Sequence, residues 1–284
     1  MATTVTLSDG TVLPALGVGT WNMGDSTTRR EEEIASLRYA IDHGVQVVDT
    51  AEMYGNGRSE ILVGEAIAPM RKRVFLVSKV LPTNATAKAV AQSCRRSLKH
   101  LGTDWLDLYL LHWRGHVPLA ETVEAFRTLQ HEGLIRHWGV SNFDTDDMQD
   151  LQRCSGVGEC AVNQVLYSLE HRGVEYDLLA ADQQRQVVTM AYSPIGQGGA
   201  LLANPALGQV AARHATSQGK ATPAQVALAW VLRQPNMLAI PKAGTVEHMR
   251  LNLAAGELVL TEQDLAELDA AFAPPVRKEA LAMI

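Results

Sequence analysis

The feature that most constrains this chain is an alternation that repeats without a break: an apolar run, a polar turn, a stretch of helical periodicity, then the next apolar run. The apolar runs fall at 16–21, 45–49, 74–79, 108–113, 135–140, 161–165, 187–192 and 237–242. Helical patterns fill 31–43, 59–69, 86–101, 119–132, 144–153 and 174–184, and one longer region, 205–234, precedes the last run. Parallel strands need crossover connections, so eight such units with no linker predict an α/β fold, a single (β/α)8 TIM barrel spanning 1–284 as one domain. Ahead of it, Val5–Leu7, Ser8-Asp9-Gly10 and Thr11–Leu13 read as an N-terminal β-hairpin with an Asp-Gly turn, lying across the barrel floor. Behind it, 261–272 opens on Thr261-Glu262-Gln263-Asp264 and reads as an extra C-terminal helix packed outside the barrel.

The strand ends carry ionisable groups. Val45, Val47 and Val48 run into Asp49; Val74–Val77 run through Ser78 to Lys79; Leu108–Leu111 run into His112. Parallel neighbours would bring Asp49, Lys79 and His112 to one rim, where barrels of this kind place their chemistry. Tyr54 follows Asp49 in a Gly-rich loop. Taken alone, Asp49 and Tyr54 would read as strand, turn and helix, with Ser59 capping the helix that carries Ile61, Leu62 and Ala66. A core has no use for Asp, Lys and His in one register, so the site reading prevails.

The other ends are polar too. Ser141-Asn142 follows Val140, Gln164 sits in the sixth strand, and Tyr192-Ser193-Pro194 closes the seventh. Ser141-Asn142 equally fits a helix cap ahead of Asp144 and Asp146. Asn and Gln also offer matched donors and acceptors to a carboxamide, and Tyr192 offers a flat face to a ring. The eighth strand ends on Lys242-Ala243-Gly244-Thr245 and enters a helix with His248, Arg250 and Asn252; a lysine at a helix N-terminus suits a phosphate. Gly17 and Gly19 lack the third glycine of a dinucleotide-binding fingerprint. Trp21, Met53 and Trp113, with Tyr54 and His112, outline an apolar pocket with a polar floor.

Composition narrows the classes. A hydrophobic fraction of 46% supports a large core, and a net charge of −6 without a basic cluster excludes a nucleic-acid partner. No apolar run reaches spanning length and the first residues lack a leader pattern, so no membrane association is expected and the location is cytoplasmic. Cys94, Cys154 and Cys160 show no metal-ligand spacing and read as free thiols, with no metal expected. A monomer is expected.

These motifs together resemble the aldo-keto reductase family over nearly the whole chain: Asp-Thr-Ala-x-x-Tyr at 49–54, the strand-ending Lys79, Leu-Leu-His-Trp at 110–113, Gly-Val-Ser-Asn-Phe at 139–143, Asn-Gln-Val at 163–165 and Ile-Pro-Lys at 240–242. The loop Tyr-Gly-Asn-Gly-Arg-Ser-Glu at 54–60 is similar to a bacterial branch that includes a methylglyoxal reductase. The resemblance implies NADPH-dependent reduction of small aldehydes, ketones or α-oxoaldehydes, with Asp49, Tyr54, Lys79 and His112 as the catalytic tetrad. It implies nicotinamide contacts from Ser141, Asn142, Gln164 and Tyr192, and a 2′-phosphate site on Lys242, Ala243, Gly244 and Thr245. Further cofactor contacts are expected from Asp49, from Gly19, Thr20 and Trp21, from Ser193, Pro194, Ile195 and Gly196, and from His248, Arg250 and Asn252. In such a tetrad a lysine cation lowers the pKa of the tyrosine, which protonates the carbonyl oxygen while His112 orients it.

Departures from the family pattern are specific. Gly57-Arg58-Ser59 lengthens the loop before Glu60, His248 replaces a common arginine and Leu251 a common acidic residue, so weaker discrimination against NADH is expected. Two other classes remain open: an aldolase-like barrel using Lys79 as a Schiff base, and a non-catalytic nicotinamide-sensing subunit. A metal hydrolase fits less well, because no carboxylate follows His112 and His116 at ligand spacing.

Overall fold

A computed structural model describes residues 3–284. An antiparallel hairpin, β1 (Thr4–Thr6) and β2 (Val12–Pro14), comes first. The barrel then runs β3 (Val18–Gly19), α1 (Arg30–Asp42), β4 (Val47–Asp49), α2 (Arg58–Ile67), β5 (Phe75–Val80), α3 (Ala87–Leu101), β6 (Leu106–Leu111) and α4 (Leu119–His131). It continues through β7 (Ile135–Ser141), α5 (Thr145–Cys154), β8 (Cys160–Leu166), α6 (Leu178–Gln184), β9 (Val188–Tyr192) and α7 (Pro205–Ala211). A two-residue hairpin, β10 (Ala215–Thr216) and β11 (Gly219–Lys220), precedes α8 (Pro223–Leu232), β12 (Met237–Ala239), α9 (Val246–Ala254) and α10 (Glu262–Ala271).

Eight parallel strands pair in the order β3-β4-β5-β6-β7-β8-β9-β12. The ring closes between its ends, where Ala239 N donates to Ala15 O at 2.8 Å and Gly17 N donates to Ala239 O at 2.8 Å. Every residue of β5, β6 and β8 is buried, as strands covered by helices outside and side chains inside must be. Closure explains why the first strand is so short. A Cβ on Gly19 would lie 2.7 Å from the Ile240 carbonyl oxygen, and one on Gly17 would lie 2.9 Å from Val47 Cβ, so only glycine lets these backbones meet.

The helices follow their sequence signals. In α3 the buried face is Val90, Cys94, Leu98 and Leu101; Thr86 caps its start and Gly102, at φ +62°, ends it. Asp144 caps α5 in a reciprocal box with Asp147. The long helical region expected at 205–234 is two helices. Gly219, at φ +105°, turns the small hairpin, and a Thr222–Gln225 capping box with Pro223 starts α8 afresh. Helix α10 packs against α7 outside the barrel, as expected. The N-terminal hairpin sits at the floor: Ser8 Oγ donates to Gly158 O just before β8, and Asp9 lies 2.8 Å from His137 Nε2 early in β7. Among the described residues, no helix is long and apolar enough to cross a membrane.

Behind β8 and β9 lies an uncompensated acid. Asp182 is fully buried; its Oδ2 accepts from Thr189 Oγ1 at 3.2 Å and Asn163 Nδ2 at 3.3 Å, and its Oδ1 has no partner. Burial pushes this carboxyl up to about 7, against the two hydrogen bonds and the Arg185 charge. The folded protein therefore holds a proton that the unfolded chain releases above about pH 4. That contribution to stability is complete below pH 4 and is lost as pH rises through 7, a loss of about 4 kcal/mol from the size of the shift. Asp182→Asn should flatten the fall in urea midpoint between about pH 4 and pH 8. A slope unchanged from wild type would show that another group carries it.

Candidate active site

Register brings the strand-end residues together. Gly19 pairs with Asp49, Asp49 with Val77, Lys79 with Leu110 and Ser141 with Gln164, so their side chains gather at the C-terminal rim. His112 lies one residue beyond β6, held by its backbone N–H donating to Val80 O at 2.9 Å. Lys79 is fully buried, and Nζ donates to Asp49 Oδ2 at 2.7 Å, Thr50 O at 2.9 Å and Tyr54 OH at 3.0 Å. An ammonium has three protons, and each has an acceptor. Gln164 Nε2 donates to Asp49 Oδ1 at 2.8 Å, so both carboxylate oxygens also accept N–H donors.

Burial raises the Asp49 carboxyl against the pull of Lys79 and Gln164. Burial lowers Lys79, but the Asp49 charge, the Tyr54 oxygen and the hydrogen bonds to both outweigh it and leave the lysine above its usual value. The geometry puts the proton of this pair on Lys79, because both Asp49 oxygens are already acceptors. For Tyr54 the expectation from sequence is reversed. Lys79 does favour the phenolate, yet burial is the larger effect, Asp49 adds to it, and the phenol ends above its ordinary value. His112 is pushed down to about 3 by burial and by Lys79, so it is a neutral imidazole. Its ring meets Tyr54 edge-on at 6.0 Å, and its Nδ1 is buried without a partner.

One cavity of about 720 Å³ opens over these groups. At its inner end are Tyr54 and His112, walled by Trp21, Met53 and Trp113. Beside them Tyr192 OH donates to Asn142 Oδ1 at 3.0 Å, and Asn142 Nδ2 donates to His112 O at 3.1 Å. Ser141 Oγ donates to Gln164 O at 2.9 Å. Asn142 reaches this position in a left-handed conformation, φ +58°, which asparagine tolerates. The outer end is formed by Lys242 ahead of α9 and by His248 and Asn252 within it, and Asn252 Nδ2 is buried without a partner.

Gly19, Thr20, Ser193, Pro194 and Ile195 also line the cavity. Gly196, Ala243, Gly244, Thr245 and Arg250 do not. Thr245 caps α9 by accepting from His248 N, Ser36 Oγ donates to Ala243 O at 2.7 Å, and Arg250 lies over the Tyr39 ring at 5.9 Å. Arg114 turns away to Asp147 and Asp150, at 2.6 and 2.9 Å, and His116 is exposed. Asn22, Gln197, Leu202, Ala224, Met283 and Ile284 also line the cavity, and no motif or periodicity points to them. The last two arrive on a tail that crosses the rim with Lys278 paired to Asp146 at 3.0 Å and Asp177 at 3.6 Å.

Residues 15–273 match the Aldo/keto reductase family. The chain belongs to that family. Among its relatives is the Methylglyoxal reductase YeaE of Escherichia coli (strain K12), 48% identical over 276 residues, which cover 96% of this chain and 95% of that protein. An aldo-keto reductase from Klebsiella pneumoniae, solved in complex with NADPH, superposes over 100% of both chains with a TM-score of 0.95 and 48% identity. A structure of an aldo/keto reductase from the same organism with NADP and acetate gives a TM-score of 0.94, also at 48% identity and 100% coverage of both chains. This aldo/keto reductase thus shares fold and family with proteins whose sites hold a nicotinamide cofactor.

Proposed function

We propose that this protein reduces small uncharged aldehydes and ketones to alcohols with NADPH, α-oxoaldehydes such as methylglyoxal among them, and that Tyr54 donates the proton. The observation that carries this reading is the Lys79 ammonium with its three protons on Asp49, Thr50 and Tyr54, beneath a cavity where Tyr54 and His112 meet. The cavity suits the cofactor. Asn142, Gln164 and Tyr192 supply carboxamide partners and a ring face at the inner end, and Lys242, His248 and the unpartnered Asn252 amide stand at the outer end. The relatives with bound NADPH and NADP support the same choice.

When bound, NADPH supplies a hydride to the carbonyl carbon. The carbonyl oxygen gains the Tyr54 proton, and the Lys79 cation stabilises the phenolate left behind. Neutral His112 can donate a hydrogen bond to that oxygen. A Schiff-base role for Lys79 is disfavoured, because the amine is fully buried and held protonated. The reading takes the chain as a single-domain, monomeric, cytoplasmic enzyme.

Charge at the inner end sets the substrate class. Trp21, Met53, Tyr54, Trp113 and neutral His112 offer no cation to a carboxylate, and Arg114 is spent on Asp147 and Asp150. The test follows NADPH and NADH oxidation with methylglyoxal and with pyruvate, which replaces the aldehyde by a carboxylate. Methylglyoxal should be preferred in kcat/KM by on the order of 100-fold. Equal rates would refute the uncharged-carbonyl reading, and tight NADPH binding without turnover of any carbonyl would favour a sensing subunit.

A further inference from the structure

Tyr54 rides on a loop that three left-handed residues in succession carry away from the strand: Gly55 at φ +56°, Asn56 at +57° and Gly57 at +88°. The eight residues 51–58, the loop and the first residue of α2, are bracketed by Thr50 and Ser59. Both bracketing side chains, and that of Thr20 at the end of β3, are fully buried. Their hydroxyls form a directed chain. Thr50 Oγ1 donates to Ser59 Oγ at 3.1 Å, Ser59 Oγ donates to Thr20 O at 3.0 Å, and Thr20 Oγ1 donates to Asp49 O at 2.9 Å. Ser59 Oγ and Thr20 Oγ1 also lie 2.8 Å apart. Each of the three hydroxyls thus has an acceptor within hydrogen-bond distance, and both ends of the Tyr54 loop are tied together.

We infer that Thr50 and Ser59 are positioning residues for proton donation by Tyr54, an inference that rests on the reductase reading above. The clasp acts through Lys79. The Thr50 carbonyl takes one of the three ammonium protons, which fixes the rotation of the ammonium about its last bond and aims another proton at Tyr54 OH. From the opposite side, Thr20 pins the Asp49 backbone by two donors, N–H at 3.0 Å and Oγ1 at 2.9 Å. Ser59 belongs to the Gly57-Arg58-Ser59 segment that lengthens this loop, so the same segment closes the loop it extends. Neither Thr50 nor Ser59 lines the cavity, so neither touches substrate or cofactor directly.

The test uses Thr50→Val, which keeps shape and carbonyl but loses the hydroxyl, together with Ser59→Ala, the double variant and Thr50→Ser. Thermal midpoints establish that each is folded. NADPH affinity is read by fluorescence titration, and kcat and KM with methylglyoxal. Each single variant should lose about 10-fold in kcat, because displacement of a reacting group by a fraction of an ångström is that damaging, with KM and NADPH affinity nearly unchanged. The double variant should be no worse than either single, since both break one chain. Thr50→Ser should restore wild-type kcat. Full activity in Thr50→Val, failure of Thr50→Ser to rescue, or a parallel rise in KM and NADPH dissociation constant would each overturn the clasp. A wild-type protein that binds NADPH but reduces no carbonyl would instead overturn the reductase reading and this role with it.

Discussion

Tyr54→Phe should lower kcat for methylglyoxal reduction by about 100-fold or more while NADPH affinity, read by fluorescence titration, stays close to wild type. The change deletes one oxygen from the inner end of the cavity and nothing from the outer end, where Lys242, His248 and Asn252 stand. No neighbouring acid replaces the phenol, since His112 is neutral down to about pH 3 and Lys79 lies fully buried beneath it, tied to Asp49 and to the Thr50 carbonyl. Burial raises the Tyr54 phenol above its ordinary value, so it stays protonated at neutral pH, as the proposed donor must be. Near-normal turnover in this variant would remove Tyr54 from the mechanism.

Lys79→Met should unfold more easily than any surface change, by about 3–5 kcal/mol in urea denaturation, because it strands the Asp49 carboxylate in the barrel. Adding Asp49→Asn removes the stranded charge and leaves the Gln164 amide an oxygen to donate to. The double variant should regain most of the stability and none of the turnover, which separates the structural role of the pair from its chemical one. Stability equal to wild type in Lys79→Met alone would mean that Asp49 and Lys79 do not form a charged pair.

The sequence was most informative where chemistry interrupts a pattern. Asp49, Lys79 and His112 stand out because each ends an apolar run, and pairing of neighbouring strands then obliges them to meet. Ser59, a helix cap only on the reading set aside for Asp49 and Tyr54, is not one in the structure. Gly57 occupies the N-cap position in a left-handed conformation, α2 begins at Arg58, and the Ser59 hydroxyl turns inward instead. The Tyr54 shift was misjudged because a sequence names the lysine beside a tyrosine but not the water excluded from both. Met283 and Ile284 had no periodic signal at all; a tail reaches the mouth only after the rim it crosses has formed. The split of 205–234 was hidden because β10 and β11 are two residues each, too short to show alternation.

The sulfur and amine groups of this protein bear on its survival. α-Oxoaldehydes add covalently to thiolates and free amines, so an enzyme that gathers them risks alkylating itself. Cys94 and Cys160 are buried, and burial holds both thiols protonated, Cys94 at about 12. The amine nearest the reaction, Lys79, is sealed beneath Asp49 and Tyr54 as an ammonium with no lone pair to offer. The inner end of the cavity, where the proposed reduction would take place, thus presents no thiolate and no free amine, and the lysine on its wall, Lys242, stands at the outer end.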